Sequence, residues 1–294
     1  MGPRNSPAPF LIVGMHRSGT ALVSRIADRL GIHMGWKLQG DHEAVFFVRL
    51  NQWLLDQAGA DWDWPEPVEG LLQHEALAPL IDDYLSVTLQ SPRSLEFLGP
   101  RRFLSRRSVF AIDEPWGWKD PRTTLLLPIW LRHFPNARVL HVLRHGVDVA
   151  QSLKARNERN LVRRTKRAER LRWTYRLRAK ERGFINSVRC ESLDAGVDLW
   201  LEYAKRARAQ VEQLGEQAME IRYEDLLDRP LEGAKAIAEF AGIEAPAGAL
   251  EELCEGVDAS RAFAYRKSPE LRDLADRRSE DLGTFGYGVH QEAM

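Results

Sequence analysis

The chain has 294 residues, of which 44% are hydrophobic, and its 42 Lys and Arg side chains are balanced by 42 Asp and Glu side chains. This hydrophobic content is enough for a sizeable core and excludes a globally disordered chain. Zero net charge argues against a protein that coats nucleic acid. Cys190 and Cys254 are far apart and have no CxxC motif or His companion, so they indicate neither a disulfide scaffold nor a metal site.

The sequence offers no candidate for a membrane anchor. No stretch approaches the roughly 18 apolar residues that a membrane span needs. Residues 1–9 lack the apolar segment of a signal peptide, and we expect them to be flexible. These observations predict a cytoplasmic protein without a membrane span.

The first predicted strand leads into a glycine-rich loop. Four apolar residues at 10–13 predict the strand, and the loop Gly-Met-His-Arg-Ser-Gly-Thr follows at 14–20. A helix pattern comes next, with an apolar stripe from Leu22 to Leu30. A strand, a glycine turn and a helix N-terminus direct backbone N–H groups and a positive dipole to one point, which favours binding of phosphate or sulfate. The loop lacks the Gly-Lys-[Ser/Thr] ending of nucleoside triphosphatases, because Arg17 precedes the second glycine and no Lys follows it.

The rest of the chain alternates between helix and strand patterns. Helices are predicted at 45–55, at 71–89 and from Leu125 to Trp130, and strands at 138–143 and 218–222. A loop is predicted at 61–67, a strand or a loop at 109–113, and a further short segment at 116–122. Alternating strands and helices predict an α/β fold of the P-loop-like kind, with three layers and a central parallel sheet flanked by helices. We expect one domain across residues 1–294.

Residues 154–182 stand apart because they contain thirteen Lys or Arg residues and three acidic ones. One interpretation is a solvated helical lid or insertion. The other is a positively charged surface that attracts an anionic acceptor or covers a bound cofactor.

A second anion-binding pattern follows the strand at 138–143. Arg144 ends this strand, and Ser152 lies eight residues later on the predicted next helix. An Arg at the carboxyl edge of a sheet and a hydroxyl on the next helix can converge on one phosphate. A structural role for Arg144, as a helix cap or as a partner of Asp148, is the alternative.

These motifs resemble a known family. Residues 14–20 resemble the 5′-phosphosulfate loop of sulfotransferases that use 3′-phosphoadenosine 5′-phosphosulfate (PAPS), and Arg144 with Ser152 resembles their 3′-phosphate-binding segment. Residues 221–227 and 283–287 resemble later segments, so the resemblance covers most of the chain, and it points to the soluble bacterial members. It implies an enzyme that moves a sulfuryl group from PAPS to an acceptor hydroxyl, with an amine as the second choice. The acceptor would be a small molecule or glycan, including an anionic one, and no nucleic acid partner is expected.

The resemblance also implies which residues bind the nucleotide, namely His16, Arg17, Ser18, Gly19, Thr20, Ala21, Arg144, Ser152 and Arg266. Arg17 would stabilise charge on the leaving 5′-phosphate. The match at Arg266 is short, and a solvent-exposed basic pair with Lys267 is the alternative. A sulfuryl group carries less charge than a terminal phosphoryl group, so no metal ion is expected.

The catalytic candidates come from two further segments. Relatives that act on phenols and steroids have a Lys at the position of Lys119 and a catalytic His where this chain has Pro121. The base would therefore lie elsewhere. Residues 42–51 resemble the segment in which carbohydrate- and tyrosine-directed relatives carry a Glu, so Glu43 is the first candidate base and His42 the second. Lys119 would stabilise charge on the transferred group, or form a structural ion pair with Asp120.

Two rival functions stay open at this point. One is a P-loop small-molecule kinase, in which Asp113 would end a strand and bind magnesium. The other is a non-catalytic protein that binds anionic glycans through residues 154–182.

Overall fold

The structure, a computed structural model, describes residues 7–177, 183–244, 248 and 258–288. The strands β1 to β6 are Phe10–Val13, Leu38–Gln39, Glu43–Ala44, Gly117–Lys119, Arg138–Leu143 and Ala218–Arg222. The helices α1 to α12 are Thr20–Arg29, Val45–Ala58, Val68–Leu72, Ala78–Gln90, Leu95–Arg106, Thr123–His133, Gly146–Leu171, Leu193–Leu214, Tyr223–Asp228, Pro230–Ala241, Pro269–Arg277 and Ser279–Gly283. Short 3-10 turns include Val109–Ala111 and Arg172–Arg176.

Four strands form a parallel sheet in the order β4-β1-β5-β6. In this register Ile12 of β1 lies between Lys119 of β4 and Leu140 of β5. Strands β2 and β3 form a separate antiparallel hairpin. The predicted α/β fold with a central parallel sheet is confirmed. Because the strands are parallel, the loops that follow β1, β4, β5 and β6 all leave from the same edge.

Helices cover both faces of the sheet. On one face, alternate strand residues such as Ile12 and Leu140 pack with Val23 of α1 and Ile237 of α10. On the other face, Trp118 of β4 stacks on Phe47 of α2, with ring centroids 3.9 Å apart, and packs edge-on against Trp130 of α6. His141 of β5 and Glu220 of β6 also lie on this second face, where Arg208 of α8 donates to Glu220 at 2.7 Å.

One local expectation differs from the structure, and one open alternative is decided by it. The segment predicted as helix at 71–89 consists of α3 and α4, because Pro79 has no N–H and fits only in the first turn of a new helix. For residues 109–113, where the sequence leaves both a strand and a loop open, the structure has a 3-10 turn at Val109–Ala111 and not a strand. Helix α7 includes residues 154–171 of the basic segment, whereas 178–182 and most of the predicted flexible segment 1–9 lie outside the described residues.

The chain divides into two compact units. The first contains the described residues of 1–144 and 203–262, including the sheet. The second contains those of 145–202 and 263–294. In the second unit, Gly146 begins α7 against Trp200, whose Cε3 atom would lie 2.6 Å from a Cβ at this position. Within the described residues, no helix combines the length and the apolar character that a membrane span requires.

Glu220→Gln should weaken the dependence of stability on acid pH. Burial raises the pKa of Glu220, but hydrogen bonds from His141 and Arg208 outweigh burial and lower the pKa from 4.5 to about 2. A carboxylate with a lowered pKa stabilises the fold above its unfolded pKa, and this contribution is lost as pH falls through the folded pKa. Urea unfolding at several pH values should show the wild-type free energy of unfolding falling more steeply between pH 4.5 and about 2 than that of the variant.

Glu216→Gln is the matched control, because Glu216 is exposed and lies just before β6. It should keep the wild-type pH dependence. Identical slopes for the wild type and Glu220→Gln would contradict the assignment.

Candidate active site

The loop between β1 and α1 has a backbone that depends on glycine. Gly14 and Gly19 have φ values of +136° and +100°. A Cβ at Gly19 would lie 2.1 Å from Cδ2 of Tyr223, and one at Gly14 would lie 2.5 Å from the carbonyl oxygen of Val142. Arg17 also has a positive φ, of 72°, which is uncommon for a residue with a side chain and is concentrated at functional sites.

The loop is held from inside and leaves the N-terminus of α1 without a side-chain cap. Ser18 donates its N–H and its hydroxyl to the carbonyl of Met15, at 3.2 and 2.7 Å. Thr124 accepts from the N–H of Gly14 at 2.8 Å. Gly19 is the N-cap residue, and as a glycine it provides no side-chain cap to the first turn. The positive end of the helix dipole therefore faces the loop without a competing carboxylate in that turn.

Arg144 contacts this loop directly. Its Nη1 donates to the carbonyl of Arg17 at 3.1 Å and its Nη2 to that of Arg261 at 3.1 Å. Its guanidinium carbon lies 4.9 Å from the ring centroid of Tyr223, the residue that also limits the space at Gly19. The structure thus brings together Arg17, Gly19 and Arg144, three of the residues predicted to bind nucleotide. Sequence reasoning missed Tyr223, although it lies in the segment 221–227.

The predicted base and the predicted catalytic lysine form a buried ion pair. Lys119 Nζ lies 3.1 Å from Glu43 Oε1, and the two side chains are 1% and 7% exposed. Gln39 donates to Glu43 Oε2 at 2.5 Å across the β2–β3 hairpin. Burial raises the pKa of Glu43, and the charge of Lys119 opposes this rise. The alternative partner of Lys119, Asp120, is instead held by Arg122 at 3.0 Å.

The hairpin also lies next to the loop and α1. Asp41 Oδ1, in the hairpin turn, lies 4.0 Å from Arg17 Nη1. The carbonyl of His42 accepts from Ser24 of α1 at 3.3 Å. The hairpin turn and the glycine loop therefore belong to one region at the edge of the sheet.

A sequence model described as "Sulfotransferase family" matches residues 9–247. The chain belongs to the sulfotransferase family. No curated protein matches it. Solved structures similar to this sulfotransferase include the enzyme from Alicyclobacillus acidocaldarius, which is 17% identical with a TM-score of 0.47 over 97% of this chain and 98% of that one.

Two further structures have the same kind of similarity. The sulfotransferase domain of the Synechococcus PCC 7002 olefin synthase is 17% identical, with a TM-score of 0.45 over 98% of each chain. Mouse sulfotransferase SULT7A1, solved in complex with PAP, is 15% identical, with a TM-score of 0.42 over 91% of this chain and 68% of that one.

Two of the predicted nucleotide-binding residues lie in the second unit of this sulfotransferase. Ser152 lies one helical turn after Asp148 on α7. The carboxylate of Asp148 accepts from the N–H groups of Ala264 and Tyr265, at 3.1 and 2.7 Å. The next residue, Arg266, is exposed, and its guanidinium carbon lies 4.5 Å from the ring centroid of Phe263. Asp148 therefore holds the Arg266 segment against the helix that carries Ser152.

The remaining candidates surround the loop. Thr20 is buried and Ala21 half-buried at the start of α1, and the ring of His16 lies 4.8 Å from that of Trp62. His42 has a φ of +56°, and its buried Nδ1 atom has no hydrogen-bond partner among the described residues. Burial, followed by the charge of Arg25, lowers the pKa of His42. A neutral imidazole of this kind is chemically able to accept a proton.

Asp113, the residue that would bind magnesium in the kinase alternative, does not lie at the end of a strand. Asp113 is exposed, follows a 3-10 turn and accepts from Arg106 Nη2 at 2.5 Å. Among the residues that the structure describes, no group of three or more His, Cys, Asp or Glu side chains could hold a metal ion.

Lys119→Met should destabilise the fold by about 3–5 kcal/mol, because it leaves the carboxylate of Glu43 buried without its counter-charge. Adding Glu43→Gln should recover part of this loss, since a neutral amide needs no cation. Urea unfolding of the two single variants and the double variant measures the coupling. Strictly additive losses would contradict the energetic role of the pair.

Proposed function

We propose that this sulfotransferase transfers a sulfuryl group from PAPS to the hydroxyl of a small-molecule or glycan acceptor, with an amine as the second choice. The observation that carries the proposal is the meeting of the glycine loop, Arg17 and Arg144 at the carboxyl edge of the parallel sheet. The buried Glu43–Lys119 pair adjoins the same edge, since Lys119 ends β4. This combination supports the proposal, because it would provide anion binding and an acid–base group in one region.

The residues present fit the two phosphate-bearing ends of the donor. The uncapped N-terminus of α1 and the side chain of Arg17 would bind the 5′-phosphosulfate. As the family resemblance implies, Arg144 would bind the 3′-phosphate together with Ser152 and, as a further cation, Arg266. The Arg266 segment is supported in this role by Asp148, which ties it to the helix of Ser152.

The proposed chemistry assigns one task to each charged side chain. When bound, PAPS would supply the activated sulfuryl group. Arg17 would stabilise the negative charge that accumulates on the 5′-phosphate oxygen as it departs with the bonding electron pair. Glu43 would accept the proton of the acceptor hydroxyl while the hydroxyl oxygen forms its bond to sulfur. Lys119 would keep Glu43 ionised before the reaction and stabilise charge on the transferred group.

The surroundings of Asp113 favour this proposal over the kinase alternative. The Asp113 carboxylate is engaged by Arg106 and does not follow a strand of the sheet. Arg144 beside the loop also supports a donor that carries a 3′-phosphate, because a triphosphate does not need this second anion site.

Adenosine 3′,5′-bisphosphate should bind about tenfold or more tightly than adenosine 5′-monophosphate, because the 3′-phosphate gains charge-assisted hydrogen bonds. Titration calorimetry measures both affinities. Arg144→Ala should remove most of the difference. Arg138→Ala, at the opposite end of the same strand, is the matched control and should preserve it. Equal affinity of the wild type for both nucleotides would rule out the 3′-phosphate assignment.

Glu43→Gln should lower turnover roughly 10²-fold or more, because it keeps the size of the side chain and removes its basicity. Nucleotide affinity should change little. Because burial raises the pKa of Glu43 above 4.5, the wild-type rate should fall in acid with a midpoint above this value, and the variant should lack this step. Steady-state rates at several pH values test both points.

His42→Ala is the internal control, since it tests the neighbouring candidate base. Near-normal turnover of Glu43→Gln together with an inactive His42→Ala would transfer the role to the histidine.

A further inference from the structure

A cavity of about 460 Å³ lies in the first unit, and neither the fold nor the proposed reaction accounts for it. Its volume falls within the range of roughly 300–1,000 Å³ that small-molecule sites occupy. The cavity is lined by apolar and charged side chains from the segment before β2, from α2, from the 3-10 turn at Pro92–Ser94 and from the start of α5, among them Trp36, Lys37, Arg49, Arg93 and Glu96.

Trp36 lines this cavity with its indole ring packed on the backbone of α5. Its indole ring packs on Gly99, where a Cβ would lie 2.7 Å from Cδ2 of the ring. Gly99 has a φ of +74° and interrupts α5 together with Pro100. The N–H of Trp36 donates to the carbonyl of Phe97 at 2.7 Å. The backbone therefore positions this residue, yet 64% of Trp36 remains exposed to solvent.

Positive charge exceeds negative charge around this ring. Glu96 is the one acidic side chain of the lining. Lys37 Nζ donates to its Oε1 at 3.1 Å, and Arg49 Nη1 donates to both of its carboxylate oxygens at 2.9 Å. Glu96 is mostly buried, whereas the two cations extend into solvent. Arg93 adds a third cation, positioned by a hydrogen bond of 2.9 Å to the hydroxyl of Tyr84. The cavity thus combines an aromatic face with an outward-facing net positive charge, which favours an anion.

We propose that this cavity binds a ring that carries an acidic group. The apolar face of the ring would stack on Trp36, and its carboxylate or sulfate would bind Arg49, Lys37 and Arg93. Glu96 pre-orients Lys37 and Arg49, which reduces the side-chain entropy lost on binding. Two ligand types share this chemistry: a sugar acid, through the C–H face of its ring, and an aromatic acid, through its π face.

Ligand-observed NMR and titration calorimetry on the whole chain without nucleotide test the proposal, so the result does not depend on the proposed reaction. The probes are methyl β-glucuronide and benzoate, with methyl β-glucoside and benzyl alcohol as their neutral analogues and inorganic sulfate as an anion without a ring. At least one acid should bind about tenfold or more tightly than its neutral analogue and than sulfate. Tighter binding of the glucuronide identifies a sugar acid, and tighter binding of benzoate an aromatic acid.

Variants separate the two parts of the site. Trp36→Ala and Arg49→Gln should each weaken binding of the acid by about tenfold, because each removes one of the two contacts. The controls are Trp64→Ala, an exposed tryptophan elsewhere in the same unit, and Arg132→Gln, a partly exposed arginine paired with Asp82. Both controls should bind like the wild type. If neither acid binds, the proposal is overturned. It is also overturned if the controls lose as much affinity for the acid as the cavity variants do.

Discussion

The parallel pairing of β1 with β4 on one side and β5 on the other is the constraint on which the site depends. Three unrelated segments of the chain leave the sheet at the same edge because of this pairing. It places the loop after Val13, the end of β4 at Lys119 and Arg144 after β5 within one region. A one-residue change in the register of β4 would turn Lys119 to the opposite face and remove the counter-charge of Glu43.

Buried charge is the second organising feature of this region. The pair of Lys119 and Glu43 removes two charges from water, and desolvation of such a pair offsets much of its mutual attraction. A nonpolar pair of similar size would therefore stabilise the fold at least as well. A nonpolar pair could not perform the acid–base function proposed for Glu43 and Lys119. The neighbouring pair of Asp120 and Arg122 has no such proposed role and joins β4 to α2 through Gln52.

Aromatic residues support backbone segments in both regions of interest. Tyr223 packs where a side chain at Gly19 would lie and also contacts the guanidinium of Arg144, so it links the β6 end of the sheet to the loop. Trp36 packs on Gly99 in the same manner at the cavity. In both places the glycine permits close approach of a ring to the backbone, next to side chains that carry positive charge.

The sequence by itself determined the structural elements that a few neighbouring residues are enough to specify. The apolar run at 10–13, the glycine loop and the strand that leads into Arg144 could be predicted because strand and helix periods and glycine turns are encoded over a few residues. The sequence also identified Glu43 and Lys119 as separate candidates. Only the tertiary structure decided that they pair with each other, because strand neighbours point to opposite faces and the partner of Lys119 comes from 76 residues away. The contact of Tyr223 with the loop and the cavity at Trp36 likewise depend on long-range packing, which no local pattern specifies.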